Sequence, residues 1–339
     1  MRVLEQLEQE KVVKLDLKDK KILSLLATNA RTPATRIAKI VGLSRDSVRY
    51  RMRNLLKNHV VQGYRALVNV EMFGFEAYHM FIQLNAPTKE VEKEIVDKFK
   101  GYPFIRAVLK FSDKYDFELA IIAKTIREFD NILSQIISDC KDYLQDYEIL
   151  IITSFLVENS FPKSFLGTHG PEPVKKSKKK EPLRLDKKDV MILTLLANNA
   201  LIPLYSVANK TGLSADTVKY RLNKMISCRI IKKFVPVIDY AVLGHTIYAL
   251  LLSIKGLSDR KEAKLKELLS TDKNVLWAVK TIGRFNVLLY LCVPSTEEFH
   301  KTLINIRTNF QGELNHYETL IAYEEYKYTY FPEGIEINV

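Results

Sequence analysis

The side chains best placed to do chemistry lie in one short run, Gly42, Leu43, Ser44, Arg45, Asp46, Ser47, Val48, Arg49, Tyr50 and Arg51, continued by Met52 and Arg53. Glycine permits a tight turn because a positive backbone φ costs it little. Ser44 can accept from an orphan amide of the turn that follows, which makes it a helix cap. Val48, Met52 and Leu55 then recur at helical spacing as one apolar stripe, and the positions off that stripe carry guanidinium groups. Arginine matches the two major-groove acceptors of guanine and equally forks a phosphate. The chemistry on offer is therefore recognition of a polyanion. Residues near the start of such a helix usually reach base edges, which favours Arg45, Ser47 and Arg49 as readers, with Tyr50 beside them and Arg51 and Arg53 on phosphates.

The run returns as Gly212 to Arg221, a shift of 170 residues. The copy is poorer in charge: Ala215 replaces Arg45, Asn223 replaces Arg53 and Ser227 replaces Lys57. Its cations are Lys219, Arg221 and Lys224, with Thr217 and Tyr220 at the places of Ser47 and Tyr50. Fewer cations release fewer counterions, so this helix should hold phosphate less tightly, and it cannot read the same bases. An operator with two unlike half-sites, about one helical turn (roughly 34 Å) or a multiple apart, is the expectation.

Something must position these helices. Upstream of the first, Leu17–Thr28 places Ile22, Leu23 and Leu26 at helical spacing behind Asp16 and Asp19, and Pro33 suits the first turn of a second helix ending at Val41. After Lys57 the period changes to two, so that Val60, Val61 and Tyr64 to Val70 read as a short hairpin, the wing of a winged helix-turn-helix. Then come a strand at Ala77–Leu84, a helix at Lys89–Phe99, strands at Ile105–Phe111 and Phe117–Ala123, a helix at Ile126–Cys140 and a strand at Tyr147–Phe155. That order, βαββαβ, is ferredoxin-like.

The whole unit is duplicated: Leu15-Asp16 recurs as Leu185-Asp186, Gly74 as Gly244, and Phe161-Pro162 as Phe331-Pro332, with no insertion or deletion. The expected class is α+β, two winged helix-turn-helix domains each followed by a ferredoxin-like βαββαβ domain. The expected boundaries are an N-terminal extension 1–14, helix-turn-helix 15–72, ferredoxin-like domain 73–166, basic linker 167–182, helix-turn-helix 183–242 and ferredoxin-like domain 243–339. The strands are apolar on both faces, most plainly Ile149–Ile152 and Ile247–Leu252. Helices can cover only one face, so the two sheets should pair, within the chain as a pseudo-dimer or between chains in an oligomer.

At 339 residues the chain holds two to four compact units, and 47% hydrophobic residues supply their cores. Lys and Arg number 52 against 40 Asp and Glu, a balance that suits a polyanionic partner. Three scattered cysteines point to a reducing compartment, and no apolar run reaches membrane-spanning length. A soluble cytoplasmic protein without a membrane partner is expected. Phosphate-cradling glycine loops, nucleophile elbows and paired metal ligands are absent from the sequence, so no catalytic residue, metal or cofactor is expected. His79, His245, His300 and His316 are read as satisfied structural histidines.

Leu15-Asp16, the Gly42-Leu43-Ser44 turn, Val48 with Arg51, the run Gly63-Tyr64-Arg65-Ala66 and Gly74 together resemble the Lrp/AsnC family of feast/famine transcription regulators. The resemblance implies a sequence-specific regulator that binds double-stranded DNA, acts on the transcription machinery, oligomerises through its ferredoxin-like domain and answers to an amino-acid effector. Two departures stand out. Where the family usually begins its wing with glycine, this chain has His59 and Arg229, each expected to be slightly strained. The family's effector-loop pattern is incomplete in both copies, Ser112-Asp113-Lys114-Tyr115-Asp116 and Ile282-Gly283-Arg284-Phe285-Asn286. Asp113, Tyr115, Asp116, Gly283, Phe285 and Asn286 are its candidates, against the plainer reading that each loop closes a hairpin. The architecture also resembles that of siroheme decarboxylases, but their His-Asn-Tyr-x-Arg run is missing from Ala107–Asp116 and Ala278–Asn286. A co-regulator that pairs through its sheets and binds little DNA is the remaining alternative.

Overall fold

The computed structural model describes residues 12–159, 161–165 and 184–331; the basic linker and nearly all of the N-terminal extension lie outside the described residues. The fold is α+β, and it divides into two compact units, each built from both repeats.

One unit combines Val13–Phe75 with the described part of Thr168–Asp239 and the start of Thr329–Val339. Its first lobe contains α1 (Leu17–Thr28), α2 (Ala34–Val41) and α3 (Arg45–Lys57), followed by strand β1 (Val61–Val68). The second contains α6 (Lys187–Asn198), α7 (Leu204–Thr211) and α8 (Ala215–Ser227), followed by β6 (Ile231–Ile238). The local reasons match the sequence reading. Asp16 and Asp19 form a capping box at the head of α1, as Asp186 and Asp189 do on α6. Gly42 and Gly212 end the second helices in the left-handed region, at φ +65° and +63°. Ser44 and Ser214 accept from the amides of Ser47 and Thr217, both at 3.1 Å.

The strand after each recognition helix is a correction to the sequence reading. This strand does not fold back on its own repeat; β1 pairs antiparallel with β6 of the other copy, with Ala66 opposite Phe234 and Val68 opposite Ile231. The exchange goes further, because α1 packs on β6 and α6 on β1. Matching backbone bonds tie each lobe to the other's strand, Ala30 N–H to Phe234 O at 2.9 Å and Ala200 N–H to Tyr64 O at 2.8 Å. Alternating burial is legible in a sequence; the identity of the strand that completes the ladder is not.

The second unit holds Glu76–Gly167 and Tyr240–Tyr328, to the extent described, with Val12. Its first repeat supplies β2 (Glu76–Leu84), α4 (Lys89–Gly101), β3 (Ile105–Phe111), β4 (Phe117–Ala123), α5 (Ile126–Cys140) and β5 (Leu144–Glu158). The second supplies β7 (Thr246–Ile254), α9 (Asp259–Thr271), β8 (Val275–Ile282), β9 (Val287–Val293), α10 (Thr296–Asn309) and β10 (Leu314–Tyr328). Each repeat makes the ferredoxin-like order β5-β2-β4-β3 or β10-β7-β9-β8, and the eight strands close into one antiparallel barrel because β5 pairs β8 and β10 pairs β3. The sheets are thus paired within the chain. Helices cover the outer faces, with Phe99, Phe129 and Ile136 on one sheet and Leu265, Phe299 and Ile306 on the other. A third core, containing Phe81, Phe111, Tyr115, Leu251, Phe285 and Leu320, fills the space between the sheets with side chains of both repeats.

Candidate nucleic-acid interface

Helix α3 buries Val48 and Leu55 and half-buries Met52. Opposite them, Arg45, Arg49, Arg53 and Lys57 stand exposed at i, i+4 spacing, so they form one cationic row along the helix. Tyr50 lies beside that row, 59% exposed. Within the row Arg45 Nε reaches the Asp46 carboxylate at 3.2 Å, a surface pair of small worth that a phosphate can replace. Ser47 is exposed, with its hydroxyl 2.8 Å from that of Ser44, so the cap and the expected base reader share one hydrogen bond.

The corresponding row on α8 is Ala215, Lys219, Asn223 and Ser227: one cation in place of four. Lys219, Tyr220 and Lys224 are exposed, with Tyr220 at 67%, while Thr217 is half-buried and its hydroxyl lies 2.8 Å from that of Ser214. The second helices repeat the inequality. Arg36 and Lys39 are exposed on α2, where α7 has Ser206 and Asn209, although α7 gains Lys210 in place of Ile40. The sequence reading passed over Arg36 and Lys39 because it weighed only the third helix; the helix that crosses the sugar-phosphate backbone in this motif is the second. A charge count per helix would have found them.

Arg51 occupies a different position from the one the sequence suggested. Its Nη1 donates to Asp16 Oδ2 at 2.6 Å and to Asp19 Oδ1 at 2.7 Å, tying α3 to the capping box of α1. Arg221 does the same with Asp186 at 2.6 Å and Asp189 at 2.9 Å. Hydrogen bonds donated to Asp19 and Asp16 push the Arg51 guanidinium further up. Burial raises Asp16, but the Asp19 amide and Arg51 outweigh it and hold the carboxyl below its usual value. A charge already neutralised by two carboxylates releases few counterions, and this arginine holds α3 against the head of α1. Lys18 adds a second tether, donating to the Val41 carbonyl at the turn.

His59 and Arg229 both sit in the left-handed region, at φ +56° and +61°, as their replacement of glycine implied. The effector-loop candidates lie in the barrel unit. Tyr115 and Phe285 are fully buried between the sheets. The Asp116 carboxylate accepts from Leu84 N–H at 2.6 Å, and Asn286 exchanges two bonds with Ile254 at 2.8 and 2.9 Å. Asp113 accepts from Ile321 N–H of the other repeat at 2.7 Å, and a Cβ on Gly283 would stand 2.5 Å from Ile149 O. These side chains are spent on closing hairpins and seating the repeats on each other. Among the described residues there is no cluster of three or more His, Cys, Asp and Glu that could hold a metal. None of the helices described is long and apolar enough to cross a membrane.

Comparison with known proteins agrees with this geometry. The model of the AsnC-type helix-turn-helix domain matches residues 15–56 and again 185–226. The HTH-type transcriptional regulator LrpA of Pyrococcus abyssi is 31% identical over 122 residues, which are 35% of this chain and 84% of that protein. Its counterpart in Pyrococcus horikoshii is 30% identical over 122 residues, with 35% and 84% covered. Among solved structures, the siroheme decarboxylase NirDL in complex with an iron-uroporphyrin III analogue shares the fold over 92% of both chains, with a TM-score of 0.61 and 12% identity.

Proposed function

The chain belongs to the Lrp/AsnC family of DNA-binding transcription regulators, and from that premise we propose that it reads an asymmetric operator with one strong and one weak recognition helix. The observation that carries the reading is the cationic row Arg45, Arg49, Arg53 and Lys57 set against Ala215, Lys219, Asn223 and Ser227. In this reading Arg45, Ser47 and Arg49 reach base edges, Tyr50 packs alongside, and Arg53, Lys57, Arg36 and Lys39 take phosphates. On the weak side Thr217, Lys219 and Tyr220 do the reading and Lys224 takes a phosphate. Arg51 and Arg221 act behind the interface.

Pairing of β1 with β6 supports a fixed relation between the two heads, because each lobe is completed by the other's strand. Half-site spacing then belongs to this unit, and the operator should show two unlike half-sites about one helical turn or a multiple apart. A small effector or the transcription machinery would act on a regulator of this kind by changing how the heads engage DNA. Genome-wide mapping of binding sites with the tagged chain, followed by footprinting of one recovered site, tests the reading. Two half-sites of different sequence and unequal protection are expected; two identical, equally protected half-sites would refute the inequality. The decarboxylase alternative rests on fold alone, and titration of siroheme into the purified chain, read in the visible spectrum, checks it.

A further inference from the structure

The interior of the barrel holds one polar cluster. Glu118 on β4 is 1% exposed and His79 on β2 is 8% exposed, both from the first repeat. His79 Nδ1 hydrogen-bonds Glu118 Oε1, and the hydroxyl of Tyr290, on β9 of the second repeat, donates to Glu118 Oε2. Trp277, on β8 of the second repeat, lies over His79 with ring centres 5.4 Å apart and against Tyr290 at 5.6 Å. A buried carboxylate is tolerated only where hydrogen bonds replace its water, and here half of that replacement comes from the other repeat.

The internal duplication shows what these four residues are for. The positions matching His79 and Glu118 in the second repeat are Ala249 and Leu288, and those matching Trp277 and Tyr290 in the first are Ala107 and Ala120. The barrel therefore carries one polar, bulky set and, at the matching positions, three alanines and a leucine. The seams share one acidic position: the Arg284 amide donates to Glu148 on one, and Lys114 pairs with Glu318, the match of Glu148, on the other. We propose that His79, Glu118, Trp277 and Tyr290 form a pairing code that lets a first repeat close a barrel only with a second repeat. Two first repeats facing each other would bury two Glu118 carboxylates opposite alanines, with no tyrosine hydroxyl in reach. Two second repeats would seal two Tyr290 hydroxyls against Ala249 and Leu288. The centre thus accepts one arrangement. The consequence is that every barrel carries one strong and one weak recognition helix.

The test uses the full chain with cysteine reporters on the seam, in a Cys228→Ser background. Ser154 faces Lys280 across β5 and β8, and the matching pair on the other seam is Glu324 with Lys110. A Ser154→Cys/Lys280→Cys chain bridges unlike repeats, whereas a Ser154→Cys/Lys110→Cys chain can bridge only two first repeats, which requires two chains. After refolding from denaturant and oxidation, the first pair is expected to bridge and the second not. The code is then inverted by moving the rings, Trp277→Ala and Tyr290→Ala with Ala107→Trp and Ala120→Tyr. The second reporter should now give a covalent dimer on a non-reducing gel. A first-repeat bridge with the native residues, or none in an inverted chain that folds, would overturn the proposal. If the inverted chain does not fold, the deciding measurement is Tyr290→Phe with and without Glu118→Leu. Removing the hydroxyl should raise the unfolding constant about tenfold beside Glu118 and less than about threefold beside leucine. Equal effects in the two backgrounds would also overturn it.

Discussion

Replacing Arg51 by alanine should cost stability and leave the electrostatics of DNA binding almost untouched, whereas Arg53→Ala should do the reverse. The Arg51 guanidinium is 28% exposed, and one nitrogen serves Asp16 at 2.6 Å and Asp19 at 2.7 Å. Asp16 is 52% exposed, so solvent screens its share to a few tenths of a kcal/mol. Asp19 is 19% exposed and contributes about 1 kcal/mol. With the two carboxylates left facing each other, the loss comes to about 1–2 kcal/mol. Arg51→Lys should recover much of it, because a single ammonium nitrogen can reach both oxygens. Arg53 is exposed on α3, and its removal should stay within about 0.5 kcal/mol. The assays are urea unfolding and fluorescence anisotropy with duplex DNA over a salt series. Arg53→Ala should flatten the slope of log affinity against log salt by about 0.9, the loss of one phosphate contact, and Arg51→Ala should leave that slope unchanged. A flattened slope with unaltered stability in Arg51→Ala would refute the assignment and return this arginine to the interface.

Gly283→Ala should cost about 3 kcal/mol or more, measured by thermal unfolding. Its φ is +152°, and the added Cβ would meet a backbone oxygen at 2.5 Å and Leu150 Cδ2 at 2.8 Å, neither of which can yield cheaply. Asp113→Ala at the matching position loses one hydrogen bond and should cost about 1 kcal/mol. Alkaline titration followed at the tyrosinate band should show Tyr64 ionising late. Burial pushes its hydroxyl up to about 12, and it has no hydrogen-bond partner among the described residues. Since the folded value lies above the unfolded value of about 10, the stabilisation is complete below pH 10 and is lost as pH rises towards 12. Urea midpoints at pH 9 and 11 should therefore fall in that order, and Tyr64→Phe should flatten the trend.

Local signals were fully legible in the sequence. Turn glycines, serine caps and Pro33 set the helix-turn-helix, and short apolar runs set Ile105–Phe111 and Phe117–Ala123 to the residue. Apolar residues on both strand faces required the sheets to pair, and they do. What stayed illegible was partner identity. Residues Val60 to Val70 state that a strand forms and which side is buried, yet the strand opposite is 170 residues away and equally apolar. Arg51 looked like a contact residue because its carboxylates lie 32 and 35 positions earlier, on another helix. Glu118 sits in an apolar run whose only sign of a partner is a histidine on a neighbouring strand and a tyrosine in the other repeat. Tyr115 and Phe285 fall in loops, where exposure is the usual expectation, but the barrel's interior recruits their rings.

Both compact units mix the two repeats, and this bears on why the second helix could lose its charge. In an assembly of two identical chains every substitution appears twice, so weakening one recognition helix weakens both. Fusion removes that constraint only if the two copies stay in one assembly in a fixed ratio. The crossed strands β1 and β6 secure this for the reading heads, since neither lobe is complete without the other's strand. The polar corner of His79, Glu118, Trp277 and Tyr290 secures it for the barrel by penalising like pairs. With unlike pairing enforced, Ala215, Asn223 and Ser227 can replace cations on one side while Arg45, Arg53 and Lys57 persist on the other. The inequality of the two helices and the inequality of the two barrel corners are then linked, because the second makes the first heritable as one stable geometry.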